Sequence, residues 1–315
     1  MKIVFFGSSS FSIPSLRALL ESTHKVLAVV TQPDKAKGRS LKISPPQVKV
    51  LAAANGISVY QPETVSSQEA VRYIRSLEPD LFVVVSFGQL LKKALLEVPR
   101  LYSINLHGSL LPKYRGAAPI NWAVINGEVS SGAAIIRMNE KMDAGDIIAS
   151  REVGIGKDDT ALTMSEKIAE IGAMLLLESI DSIEKGTVKF ERQDESKASY
   201  APKLKKGDGL IEWNRDAVKI HNLVRGLIPW PGAYTHYNGK VLKVFRTEIA
   251  RMPEGKAFKP GTIVDVISDK GIVASTAKGA LLITHLQLEG KKILDGASFL
   301  RGHRIKAGDS LIQSG

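Results

Sequence analysis

Apolar residues in the first half of the chain come in short unbroken runs: 2–7 (KIVFFG), 26–31 (VLAVVT), 80–88 (DLFVVVSFG) and 102–108 (YSINLHG). Between these runs, residues 14–22, 46–55, 66–77 and 89–97 space their apolar side chains as a helix does. An unbroken apolar run of this length predicts a strand buried on both faces. Strands alternating with helices predict a doubly wound α/β domain around a mostly parallel sheet. Runs at 133–139 and 146–155 predict two further strands of that sheet, and 160–185 predicts one long amphipathic helix that closes the domain.

The pattern then changes. Residues 189–210, KFERQDESKASYAPKLKKGDGL, carry no apolar period and are rich in charged and small residues, as in a linker. Beyond it, 216–227 predicts a helix, and short alternating runs at 233–237, 241–248, 261–267, 271–275 and 280–287 predict strands, with Asn238-Gly239 as a hairpin turn. Short strands at this spacing predict a small OB-like β-barrel, a fold whose surfaces often bind oligonucleotides. The expected organisation is an α/β domain at 1–188, a linker at 189–210 and a barrel at 211–315.

A chain of 315 residues is long enough for two such domains. Its formal net charge is +11. Residues 1–200 hold 24 basic and 22 acidic residues, net +2, whereas 201–315 hold 19 and 10, net +9. The charge therefore gathers on the barrel, as expected of a part that meets a polyanion such as nucleic acid. The absence of cysteine excludes disulfides, thiolate metal sites and a cysteine nucleophile, and suits a reducing cytoplasm. The opening MKIVFFGSSS has too short an apolar run for a secretory signal, and no stretch reaches the length of a membrane span.

The first strand–helix turn, GSSSFS, has Gly7 but not the further glycines that let a backbone approach a dinucleotide pyrophosphate. No G-x-S-x-G elbow is present, so Ser109 is not a hydrolase nucleophile. Asn105 and His107 stand two apart at the end of a strand, where parallel sheets bind ligands, and alternation puts them on one face. The loop after them, SLLPKYRG, is too apolar to be left bare in water, and Asp143 follows another strand of the same sheet. An amide, an imidazole and a carboxylate without a nucleophile point to transfer between two bound substrates. Asn105 would stabilise an oxyanion, His107 would supply charge or a proton, and Asp143 would orient the imidazole and help deprotonate the attacking group.

The stretch Asn105-Leu106-His107-Gly108-Ser109-Leu110-Leu111-Pro112, with Arg115 to Ile120 and with Asp143-Ala144-Gly145-Asp146, closely resembles the signature of the 10-formyltetrahydrofolate-dependent formyltransferases. Within that family, residues 29–49 and 229–234 resemble the branch that formylates methionyl initiator tRNA for translation initiation. The chain departs from its relatives at Gly7-Ser8-Ser9, where they often carry Gly-Thr-Pro. The resemblance implies that 1–188 is the catalytic domain, with Asn105, His107 and Asp143 catalytic and Ser109, Leu110, Leu111 and Pro112 forming the folate loop. It implies 10-formyltetrahydrofolate as formyl donor, with no metal. It also makes Lys35, Lys37, Arg39 and Lys42 a tRNA-recognition loop, with Arg39 at the acceptor end. A cytoplasmic monomer is expected. Formylation of a small amine, such as glycinamide ribonucleotide or an amino sugar, and non-catalytic RNA binding remain the alternatives.

Overall fold

The computed structural model describes residues 1–37, 42–253 and 257–312. In chain order the first two thirds of the chain contain β1 (Lys2–Gly7), α1 (Ile13–Leu20), β2 (Lys25–Val30), β3 (Lys35–Lys37), β4 (Lys42–Ser44), α2 (Gln47–Ala54), β5 (Ser58–Tyr60), α3 (Gln68–Ser76), β6 (Leu81–Val85), α4 (Lys93–Leu96), β7 (Tyr102–His107), β8 (Arg115–Gly116), α5 (Pro119–Ile125), β9 (Ser130–Arg137), β10 (Ile147–Gly154), α6 (Ala161–Glu184) and β11 (Tyr200–Ala201). One seven-stranded sheet runs β10-β9-β7-β6-β1-β2-β5. From β5 to β7 it is parallel; β9 pairs antiparallel with β7, and β10 antiparallel with β9.

The unbroken apolar runs mark its centre. Every residue of β6 is buried, as are those of β1 after Lys2. Phe6 meets Phe82 and Phe87 edge to face, with ring centroids 4.9 and 5.5 Å apart. Helix α3 starts where the Ser67 side chain accepts the Ala70 amide hydrogen, and it buries Val71 and Ile74 on this core. Helix α6 comes down on β7 at Gly172, where a Cβ would lie 2.8 Å from Leu106 Cδ1. Leu106 is spent on that contact, so Asn105 and His107 project from the other face of the strand.

Packing divides the chain into two units. The first comprises Met1–Pro119, Ser130–Gly154 and Ser165–Ala201; the second comprises Ile120–Val129, Ile155–Met164 and the chain from Pro202 onward. The expected linker at 189–210 is therefore shared, and its first part is not free chain. Ile147 and Glu191 exchange main-chain hydrogen bonds of 2.8 and 2.8 Å, and β11 pairs with β8. The Phe190 ring lies 5.3 Å from Tyr102 and 4.4 Å from the Arg137 guanidinium. Single residues anchor this segment at irregular spacing, which leaves no period to read. The helix expected at 89–97 shrinks to α4, while the three-residue edge strand β5 and the helix α5 went unread.

The second unit contains α7 (Ala217–Gly226), β12 (Ala233–Tyr237), β13 (Lys240–Ala250), β14 (Ile263–Ile267), β15 (Gly271–Ser275), β16 (Ala280–Leu288), β17 (Leu294–Asp295) and α8 (Gly296–Gly302). Its antiparallel sheet runs β12-β13-β16-β15-β14, with β17 added to β16. Asn238 and Gly239 both have left-handed backbones, φ 48° and 72°, as the tight β12–β13 hairpin requires. Irregular register at Val244–Thr247 bends β13. The segment at 308–311 then closes the curled sheet. It bonds to β14 through Asp309 O and Ile263 N at 2.8 Å, and reaches β12 through Tyr237 Oη and Asp309 Oδ2 at 2.9 Å and through Thr235 Oγ1 and Leu311 O. The fold class is the expected one, a mostly parallel α/β sheet followed by a small antiparallel β domain.

Candidate active site

At the end of β7 the chain places Asn105 half-buried and His107 with 5% of its surface exposed. The Asn105 side chain has no hydrogen-bond partner among the described residues. His107 Nε2 lies 2.9 Å from Tyr114 O, and because a carbonyl only accepts, Nε2 carries the hydrogen. That assignment leaves Nδ1 as the variable atom. It faces Asp143 Oδ1 at 3.7 Å, too far for a direct hydrogen bond but within ion-pair reach once Nδ1 is protonated.

Asp143 occupies the connection between β9 and β10 and has a left-handed backbone, φ 50°. Of the residues with a Cβ, Asp and Asn reach this region most readily, because their short side chains can hydrogen-bond locally. Its surroundings hold it there. Gly116 N–H donates to Oδ2 at 2.8 Å, and the Gln193 side-chain amide donates to the main-chain oxygens of Asp143 at 2.8 Å and of Gly145 at 2.6 Å. Gly145 must be glycine, because a Cβ there would collide with the Arg137 carbonyl.

Behind this turn lies Arg115, 3% exposed. Its Nε and Nη2 donate to Gln193 Oε1 at 3.0 and 2.8 Å, and its Nη1 and Nη2 to the two Glu195 oxygens at 2.9 and 2.9 Å. The hydrogen bonds between Arg115 and Glu195 raise the guanidinium pKa and lower that of the carboxyl, so both stay charged. Ser199 holds the other side of the site. Its Oγ accepts from Tyr114 N at 2.9 Å and its carbonyl from Arg115 N at 2.8 Å, which fixes the carbonyl that receives His107.

The expected folate loop is partly turned inward. Ser109 is buried and donates to Lys113 O at 2.6 Å, and Leu111 packs on Ala134 and Ile136. Leu110 and Pro112 remain partly exposed. At the first loop the departure from the family pattern is absorbed by hydroxyls. Ser8 Oγ donates to Phe87 O at 3.0 Å and Ser9 Oγ to Ser86 Oγ at 2.8 Å. Of the expected tRNA-recognition residues, Lys35, Lys37 and Lys42 lie on a small hairpin, β3 with β4, in which Lys37 pairs with Lys42. Arg39 lies outside the described residues.

Sequence reasoning missed Tyr114, Arg115, Gln193 and Ser199 as builders of the site. Arg115 carried a signal, being part of the family-like stretch. Gln193 and Ser199 carried none, because they sit in the aperiodic segment. Among the described residues no helix is long and apolar enough to cross a membrane.

Residues 1–180 match the family model described as formyl transferase, and 203–304 match the formyl transferase C-terminal domain. The chain belongs to the formyl transferase family. Among its relatives, the methionyl-tRNA formyltransferase of Geobacter metallireducens is 46% identical over 98% of this chain and 97% of its own. That of Bacillus subtilis is 44% identical over 98% and 97%. Two solved structures share the formyl transferase fold at lower identity. WlaRD, a sugar 3N-formyl transferase, superposes with a TM-score of 0.67 at 20% identity, covering 93% of this chain and 99% of its own. HypX from Aquifex aeolicus in complex with tetrahydrofolic acid superposes with a TM-score of 0.64 at 21% identity, covering 95% of this chain and 47% of its own.

Proposed function

We propose that this protein transfers the formyl group of 10-formyltetrahydrofolate to the α-amine of methionine carried by initiator tRNA. The observation that carries the reading is identity of 46% over 98% of the chain to a methionyl-tRNA formyltransferase, with coverage that includes the basic second unit. The site agrees with it. Asn105 offers an amide with no hydrogen-bond partner among the described residues, and Leu110 and Pro112 offer partly exposed apolar carbon nearby in the chain, a combination suited to a folate-borne formyl group. Ser109 to Pro112 form the loop that holds the folate.

When bound, 10-formyltetrahydrofolate supplies a formyl carbon activated by its N10. Asn105 donates to the formyl oxygen as negative charge develops there, the moment at which a fixed donor lowers the barrier. With Nε2–H committed to Tyr114 O, His107 takes up or releases its proton at Nδ1, and Asp143 Oδ1 opposite balances the charge. Through that contact Asp143 helps take the proton of the attacking amine. The amine would attack the formyl carbon directly, the bond from that carbon to N10 would break, and tetrahydrofolate would leave with the proton the amine gives up on its N10, so the chain needs no nucleophile of its own. The rest of its work is to hold two substrates in register.

Lys35, Lys37, Arg39 and Lys42 contact the tRNA, with Arg39 at the acceptor end, and the +9 charge of residues 201–315 holds its phosphates. The protein acts in the cytoplasm as a monomer. The test supplies purified protein and 10-formyltetrahydrofolate with charged initiator tRNA, charged elongator tRNA, glycinamide ribonucleotide or an amino sugar. Rapid formylation of the first alone is expected. Faster turnover of a small amine, or tRNA binding without turnover, would overturn the reading.

A further inference from the structure

The aperiodic segment after α6 reaches the reacting residues through one side chain. Gln193 is 5% exposed, and all of its hydrogen-bonding capacity seen in the structure is spent on two things: the Asp143 turn on one side and Arg115 on the other. The amide end donates to the oxygens of Asp143 and Gly145, and the carbonyl end accepts twice from Arg115. Arg115 is also the neighbour of Gly116, whose N–H holds Asp143 Oδ2. The main chain and the carboxylate of Asp143 are thus both tied to the Arg115-Gly116 dipeptide. Asp143 sits in a left-handed conformation, which only glycine adopts freely. Released, it would relax and turn its carboxylate from His107.

We propose that Gln193, oriented by Arg115, is a positioning residue that sets the Asp143 carboxylate opposite His107 Nδ1. Gln193 does not touch the reacting atoms. It acts by holding two main-chain oxygens, and an amide is needed because the role requires a donor toward the turn and an acceptor toward the arginine at once. Glutamate has the shape and can pair with Arg115, but it presents an oxygen to the Asp143 and Gly145 carbonyls and repels them. Glu195, by contrast, only backs Arg115 from the exposed side, so Arg115 can still hold Gln193 without it.

The inference rests on the proposed formyl transfer, but its central readout does not. Gly116 N–H donates to Asp143, while its neighbours Arg115 N–H and Ala117 N–H donate to Ser199 O at 2.8 Å and Ala201 O at 2.9 Å. In the full chain, amide hydrogen exchange and the Gly116 proton resonance are compared in wild type, Asp143→Ala, Gln193→Leu, Gln193→Glu and Glu195→Gln. Both Gln193 variants should expose Gly116 as Asp143→Ala does, with the Arg115 and Ala117 amides still protected; Glu195→Gln should leave all of them unchanged. In the formylation assay both Gln193 variants should lower kcat by about 10–100-fold, the scale of a misplacement near 1 Å, with KM for both substrates held within about twofold. An unchanged Gly116 amide overturns the proposal. So does loss of protection at Arg115, Gly116 and Ala117 together, which would make Gln193 a clamp on the segment alone. A wild-type protein that formylates none of the acceptors overturns the functional reading only, while Gly116 still decides the role of Gln193.

Discussion

The two units treat buried polar groups in opposite ways. In the second, they are consumed by the architecture. Trp213 Nε1 donates to Thr235 Oγ1 at 2.9 Å, Thr235 bonds Leu311 O, and Tyr237 bonds Asp309, all of which keep the curled sheet shut. In the first unit, Arg115, Gln193 and Ser199 converge on one place and stop short of completing it. Among the described residues, the Asn105 amide has no hydrogen-bond partner and His107 Nδ1 has none within hydrogen-bond distance. Buried polar groups must be paired in either case. The difference is that in the first unit the Asn105 amide and His107 Nδ1 keep bonding capacity that no described residue uses, while the second unit turns its charge outward on β13. Its alternation shows this directly: on β13, Leu242 and Val244 are buried and Lys240, Lys243 and Arg246 are exposed. On the proposed reading, chemistry belongs to the first unit and attraction of a polyanion to the second.

The sharpest way to break that comparison is Asn105→Ala. In the proposed mechanism its amide acts on charge that exists only in the transition state, so kcat should fall by about 10²–10³ with tRNA affinity unchanged. Steady-state formylation beside a tRNA-binding measurement checks it; near-normal turnover would remove Asn105 from the mechanism. A smaller effect belongs to the second unit. Each of Lys240→Gln, Lys243→Gln and Arg246→Gln should weaken binding of any tRNA and reduce the slope of log affinity against log salt by about one unit where a phosphate contact is lost. Turnover at saturating tRNA should stay as it was. A loss of kcat in these variants would show that the two roles are not separated as drawn.

The smallest effect is a pH dependence confined to the second unit. His221 has its Nδ1 2.9 Å from Thr247 Oγ1, and it faces the Lys157 main chain, Asp158 and Arg225. Burial first, then the Arg225 charge, lowers its pKa below the ordinary 6.5. The unfolded chain therefore binds a proton that the folded chain refuses. The stability this group contributes is present above about pH 6.5 and is lost as pH falls from there through the lowered folded value. Thermal melts across that window should show the decline, and His221→Gln should flatten it. An unaltered slope in the variant would assign the decline to other groups.

Much of this was legible in the linear chain. Val-rich and Phe-rich runs buried on both faces can only be central parallel strands, so the fold of the first half was written in KIVFFG and DLFVVVSFG. Alternation and Asn238-Gly239 did the same for the β12–β13 hairpin. Asn105 and His107 were legible as a pair because a strand repeats every two residues, and Asp143 because its surrounding residues follow a family pattern. The irregular segments were not legible. The edge strand β5 is too short to show a period, and the hairpin of β3 and β4 lies in what read as a charged loop.

The amino-acid sequence by itself determined which residue types stand at the ends of which strands, where the net charge gathers, and that no cysteine chemistry is possible. Only the tertiary structure decided that 189–201 belongs to the first unit, that His107 is held through Nε2, and that Asp143 is held by Gln193 and Gly116. The physical reason is range. Periodicity and capping act over a few residues and leave a mark in the pattern, whereas Gln193 reaches Asp143 across 50 residues and Tyr114 reaches Ser199 across 85. Hydrogen bonds between such distant partners exist only once folding has brought β8 and β11 together and set them beside the turn after β9, and no local stretch of sequence encodes them.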